Sequence, residues 1–304
     1  CSPSAMLVTE ATFESVLRHV KECYSILDLA NGVPQGQRGR IQVAITFDDG
    51  WEDNASTAFP IAAGLKVPFT IFICPELMQK PMPFWPERVV ALIRFADTST
   101  DVVKWLSQAL ATAGYPEWAA ALANENGNRA DILINRLKSL SFEERGRLLA
   151  SLFSCDAPSE DHATGNVDRT MSWSQLEQLY SAGVSFGSHT LRHEILTSIP
   201  LPRVEEEVRG SKAALEDHIA HCSLFSYPNG DVSREVREIV ERFGFKLAFI
   251  NSPGVWRRSD DPFLIPRINL SEGTLVGSDG QFSRLAFEYR VFWNAFVHRG
   301  LAVD

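Results

Sequence analysis

Two nearly continuous apolar runs, IQVAITF (residues 41–47) and VPFTIFICP (67–75), bracket a helical pattern, NASTAFPIAAGL (54–65). Runs this apolar, rich in β-branched and aromatic residues, suit strands covered on both faces. Strand, helix, strand in that order implies a parallel βαβ unit, because two parallel neighbours need a crossover. This constraint outweighs composition. The chain has 304 residues, 45% hydrophobic and 22% charged, enough for a sizeable core.

The same alternation returns further on. TEATFESVLRHVKECYSILDLA (9–30) opens with apolar residues Phe13, Val16, Leu17 and Val20 at helical spacing, behind Thr9 as N-cap. SWSQLEQLYSAG (172–183) reads as a helix capped by Ser172 or Ser174 and stopped by Gly183. VSFGSHT (184–190), SLFSYPNG (223–230), FKLAFIN (245–251) and FLIPRINL (263–270) read as strands, with RVEEEVRGSKAALEDHI (203–219) and SREVREIVERFG (233–244) as helices between them. From 76 to 172 the rhythm breaks into helical patterns without a clear strand, which predicts a helical insertion closed by the polar segment DAPSEDHATGNVDRT (156–170). Repeated βα units without a glycine-rich dinucleotide fingerprint predict a barrel-like or doubly wound α/β fold. In barrels, chemistry gathers where strands end.

Three polar clusters stand at those predicted ends: Asp48 and Asp49 in TFDDG, His189 and His193 in GSHTLRH, and Pro228, Asn229 and Gly230 in SYPNG. Adjacent carboxylates repel, and each raises the other's pKa. Alone, a DD before glycine reads as a solvated turn, an HxxxH as packing residues, and PNG as a tight turn. Together on one rim they read differently. Two histidines four apart face the same way if the loop makes one helical turn. Two imidazoles and a carboxylate are the usual donors of an open catalytic zinc site. One acid can bind the cation and the other can stay ionised as a general base. His19, His162, His218, His221 and His298 lack such company and read as surface or helix residues.

The net charge of −9 shows no basic face and argues against nucleic acid or an anionic membrane as partner. Five scattered cysteines (Cys1, Cys23, Cys74, Cys155, Cys222) without a CxxC argue against a disulfide framework. Free thiols suit a reducing compartment. No apolar run is long enough to span a bilayer and no signal peptide is visible, which sets a cytoplasmic expectation; a leader cleaved before Cys1 would leave no trace.

At these residues the chain resembles the polysaccharide deacetylases, the NodB-homology or carbohydrate esterase family four proteins. TFDDGWEDN (46–54) is similar to the first family motif, MSWSQLEQLYSAGVSFGSHTLRH (171–193) to the second, and FSYPNG (225–230) occupies the third. The resemblance implies a distorted (β/α)7-type barrel spanning residues 1–304 as one domain, with the helical insertion 76–172 within it. It implies metal-assisted removal of an acetyl group from an N-acetylated amino sugar, in a polysaccharide or glycan precursor. Carried over by position, Asp48 is the general base. Asp49, His189 and His193 hold a divalent ion, Zn2+ by expectation. A backbone N–H at Asn229 meets the oxyanion, and Trp51 and Pro228 lie beside the sugar. Homo-oligomerisation is left open.

Two departures stand out. Ser226 occupies the place where many members carry an arginine, and PRINLSEGT (266–274) lacks the late histidine that serves many as general acid. Arg267 is the local cation and is expected to approach Asp48. Competing readings are a deformylase or O-acyl esterase on the same scaffold, or a glycan-binding protein that has lost turnover.

Overall fold

The computed structural model describes residues 8–32, 41–80, 84–124, 129–154 and 169–293. His162, His298, Cys1, Cys155 and most of the 156–170 segment lie outside them. The chain divides into two compact units, one formed by 6–80 with 169–304 and the other centred on 81–168.

In the first unit, α1 (Glu10–Cys23) begins where Thr9 accepts from the Thr12 N–H, and buries Val16, Leu17 and Val20. The run IQVAITF does not form one strand. It splits into β2 (Gln42–Val43), which pairs with β1 (Ser25–Ile26), and β3 (Thr46–Phe47), which joins the main sheet. The chain changes sheets at Ala44 and Ile45, so a single apolar run serves two partners. The following helix begins as a π-turn (Asn54–Ala58) before α2 (Phe59–Leu65). Pro60 has no N–H to offer Ser56, and the widened turn lies where that bond is missing. β4 (Thr70–Ile73) is buried throughout.

The second unit holds α3 (Trp85–Thr98), α4 (Thr100–Thr112), α5 (Pro116–Asn124), α6 (Arg129–Lys138) and α7 (Phe142–Leu152). Its own core contains Val89, Ile93, Leu110, Leu133, Leu137 and Leu152. Ser141 and Glu144 form a capping box at α7. Phe84 and Trp118 are buried, and Trp85 and Trp105 pack partly buried against that core.

The first unit resumes with α8 (Trp173–Ser181), capped by Ser172 through a capping box with Gln175. β5 (Ser185–Ser188), α9 (Leu201–Glu216), β6 (Leu224–Ser226), α10 (Arg234–Arg242), β7 (Leu247–Ile250), β8 (Ile265–Pro266), α11 (Glu272–Leu275) and α12 (Arg284–Glu288) follow. Six strands run in the order β3-β4-β5-β6-β7-β8, every pairing parallel. β4, β5 and β6 are buried at every residue, as a parallel sheet covered on both faces requires. Where β5 passes β4 there is no space for a side chain: a Cβ at Gly187 would stand 2.6 Å from the Phe72 ring.

The sheet is curled. Five strand spacings of about 4.8 Å would put edge strands β3 and β8 roughly 24 Å apart in a flat sheet. Arg267, the residue after β8, nevertheless reaches Asp48, the residue after β3, at 2.7 Å. No arginine spans a flat sheet of that width, so the two edges have been brought round towards each other. This is the α/β barrel class expected from the sequence, with six strands in its sheet among the described residues.

Candidate metal and hydrolytic site

The three polar clusters follow β3, β5 and β6, at the C-terminal ends of parallel strands of one sheet, with β4 between the first two. The backbone there is unusual. Among the described residues six non-glycine positions take positive φ, and four of them are Asp49 (72°), Thr190 (65°), His193 (61°) and Asn229 (61°). Such conformations cost of order 1–3 kcal/mol each and collect at functional sites. They also correct the expected helical turn between the histidines. Residues 189–193 form an irregular loop bent by two left-handed residues, and this loop, not helical spacing, sets the rings 4.9 Å apart.

Gly50 completes the first turn. It has φ +68°, and a Cβ there would lie 2.6 Å from Ile73 Cδ1. The chain after this turn is held by Met171, whose N–H donates to the Gly50 carbonyl at 2.9 Å, and by an antiparallel bridge between Trp51 and Thr170.

One oxygen of Asp49 lies 3.7 Å from His189 Nε2 and 3.4 Å from His193 Nε2. Donor atoms of all three residues fall within 4.8 Å of one another. These separations are too long for hydrogen bonds. They match two ligands at about 2.0–2.1 Å on a tetrahedral ion, whose donors stand roughly 3.4 Å apart. The protonation pattern agrees. His189 Nδ1 lies 2.7 Å from the Ser226 carbonyl, which can only accept, so Nδ1 carries the proton and Nε2 presents its lone pair to the acids. Burial pushes the His189 imidazole below its ordinary value, against the pull of Asp48, and favours this neutral form. An oxygen and two imidazole nitrogens, one of them with its tautomer fixed, fit a divalent ion.

Asp48 is bound differently. Arg267 Nη1 donates to its Oδ1 and Nη2 to its Oδ2, both at 2.7 Å. Burial alone would raise this carboxyl, but the Arg267 guanidinium outweighs it and holds it well below the usual carboxylate range. Arg267 also reaches Asn251 Oδ1 at 3.3 Å, while its Nε has no hydrogen-bond partner among the described residues. Ser226, fully buried, leaves its hydroxyl without a partner among them as well. The cation beside Asp48 thus comes from β8 and not from the third-motif position. Asn229 is exposed in its turn, its side chain on Asp231 at 2.6 Å. Pro228 is buried and Trp51 half-buried.

Residues behind the site escape a motif search. Glu207 of α9 is fully buried, and one of its oxygens accepts from the N–H groups of Leu191 (3.0 Å) and Arg192 (2.9 Å). Its other oxygen takes Arg192 Nη1 at 2.8 Å, while Arg192 also grips Glu76 at 2.6 and 2.7 Å. The loop carrying His193 is therefore tied to the buried carboxylate of Glu207 and, through Arg192, to Glu76 and Glu206. The signal was present: Val204, Glu207, Val208, Ser211 and Leu215 form the buried stripe of α9. His19 lies in α1 as expected, but it is buried and stands beside Glu288 and Cys23, company the sequence did not show. His218 behaves as expected, stacked on Trp173 at 4.0 Å.

Fold and site together define an α/β barrel-class protein with a carboxylate–imidazole cluster on its strand-end rim. Comparison with known proteins narrows the class. Residues 146–248 match the family described as polysaccharide deacetylase, a span that holds both histidines and Asn229 but neither aspartate. A putative polysaccharide deacetylase, YxkH, of Bacillus subtilis (strain 168) is 27% identical over 110 residues, 36% of this chain; the match covers 39% of that protein. In fold, the Streptococcus pyogenes deacetylase PplD is similar at TM-score 0.53 and 15% identity, over 88% of this chain and 83% of that one. A de-N-acetylase from Aggregatibacter actinomycetemcomitans is similar at TM-score 0.53 and 11% identity, over 93% and 89%. The chain is similar to the polysaccharide deacetylases, in sequence over about a third of its length and in fold over most of it.

Proposed function

We propose that this chain is a metal-dependent N-deacetylase acting on an N-acetylated amino sugar of a polysaccharide or glycan precursor. The observation that carries the reading is the separation of roles between two adjacent acids: Asp49 lies 3.7 and 3.4 Å from two imidazoles, whereas Asp48, 3.8 Å from His189, is clamped by an arginine at 2.7 Å. Asp49, His189 and His193 would hold the ion, Zn2+ by its donor set. Such an ion, when bound, supplies positive charge beside the amide and makes water a better nucleophile at neutral pH.

The remaining work falls to the chain. Asp48 accepts the proton of water as its oxygen bonds to the acetyl carbonyl carbon. The same carboxyl then returns the proton to nitrogen as the C–N bond breaks, leaving acetate and a free amine. Arg267 aims the carboxylate by its two parallel hydrogen bonds and keeps it ionised between turnovers. The backbone at Asn229 donates to the developing oxyanion, a contribution of about 3–4 kcal/mol in comparable sites. Trp51 offers a ring to the sugar, and Pro228 shapes the turn that carries Asn229. We assign residues 1–304 to a single deacetylase domain, with 76–172 an insertion within it.

Metal analysis followed by acetate release from N-acetylglucosamine oligomers, with and without chelator, tests the reading. Bound metal and chelator-sensitive release support it. Metal without release from any of several acylated sugars refutes it.

A further inference from the structure

A second cluster of donors lies far along the sequence from the first, where α1 meets α12. His19 and Cys23 are four residues apart on α1 and share a face, with Cys23 Sγ 3.8 Å from His19 Nδ1. Glu288 stands behind the imidazole, one oxygen 2.6 Å from His19 Nε2 and the other accepting from the Tyr24 hydroxyl at 2.6 Å. Ligand atoms of His19, Cys23 and Glu288 lie within 4.8 Å of one another. Cys23 is exposed.

We propose that His19 and Cys23, oriented by Glu288, form a second metal site that takes a thiophilic divalent ion such as Zn2+ or Cd2+. Three observations support it. The ionised Glu288 carboxylate can only accept, so Nε2 carries the proton and the Nδ1 lone pair points at sulfur. A carboxylate behind a ligating imidazole is the usual outer support of a metal-binding histidine. Zinc ligands at about 2.3 Å (sulfur) and 2.0–2.1 Å (nitrogen) around a tetrahedral centre stand about 3.5 Å apart, close to the observed separation. Finally, the imidazole is held in place by edge contacts with Phe287, at 5.2 Å, and Tyr24, at 6.3 Å, so little side-chain freedom is lost on binding. Exposure of Cys23 leaves an entry path, and water fills the outer positions. Binding exchanges the thiol proton for the ion. Unlike the strand-end site, this one has a soft sulfur donor, which favours Zn2+ and Cd2+ over Mg2+.

Cadmium titrated into the chelator-treated full chain tests this directly. Thiolate ligation produces an ultraviolet thiolate-to-cadmium band, and the Asp49, His189, His193 set, without sulfur, gives none. The band should appear and be lost in Cys23→Ser, while Cys1→Ser and Cys155→Ser retain it. Glu288→Gln should weaken cadmium binding about 10-fold or more. No band in the parent chain, or a band unchanged in Cys23→Ser, overturns the proposal. Because His19 is buried, a second measurement avoids altering it. Zinc should protect Cys23 from iodoacetamide, read by peptide mass spectrometry; equal alkylation with and without zinc also overturns the site.

Discussion

Asp48 and Asp49 are chemically identical neighbours, and their different surroundings separate them. Asp48→Asn should lower deacetylation about 10²–10⁴-fold while bound metal stays near its parental level. Asp49→Ala should lose the metal, read by elemental analysis of the purified chain. Arg267→Ala is expected to reduce turnover about tenfold or more through lost aim. It also withdraws the charge that depresses the Asp48 carboxyl, so the acid limb of the pH–rate profile should move to higher pH. An unmoved limb would show that Arg267 does not hold the base. His189 yields a stability prediction for the metal-free chain. Burial keeps it neutral in the fold, whereas the unfolded chain protonates near pH 6.5. Below that pH the unfolded state binds more protons, so stability falls as the pH drops through the unfolded value. Urea midpoints at pH 8 and pH 5.5 measure the loss, and His189→Gln should flatten it. The Asp48 contribution is retained until the pH falls below about 3.9 and is then lost towards its lower folded value.

At the scale of elements, α9 and the loop after β5 form one device. Glu207 is buried with both oxygens engaged, so Glu207→Ala strands two backbone N–H groups, while Arg192 keeps Glu76 and Glu206. Each buried donor left unpaired costs about 1–3 kcal/mol. The expected result is a lowered melting temperature with weaker metal binding, because the loop carries His193. The close crossing of β4 and β5 gives a second expectation. Gly187→Ala forces a methyl into Phe72, and overpacking of this kind costs about 1–3 kcal/mol. Much of this scale was legible in the sequence. The apolar runs, the capping serine at 172, and the period of α1 all report local preferences that the fold leaves intact. The run 41–47 did not report its own division, since an apolar strand looks the same whichever sheet bonds it.

For the whole molecule, metal binding and folding are linked. An ion present at about 100 times its Kd adds roughly 2.7 kcal/mol of stability. Calorimetry with and without zinc should therefore show an upward shift in melting temperature. Most of that shift should vanish in Asp49→Ala. The part that persists there and vanishes in Cys23→Ser belongs to the second cluster. Among the described residues no helix is long and apolar enough to cross a membrane. The 81–168 unit carries its own apolar core, as its helical periodicities foretold.

By itself, the sequence determined which chemical groups stand at which strand ends. Hydrophobic period, caps and turns are set by residues close in the chain, and these placed Asp48, Asp49, His189, His193 and Asn229 on one rim. Only the tertiary structure decided which acid faces the imidazoles and which faces the arginine. It also decided that the arginine comes from the end of β8, and that Glu207 and His19 are drawn inside. Those outcomes depend on contacts between segments as much as 269 residues apart. The curl of the sheet and the packing of helix ends set such contacts, and no local pattern encodes them.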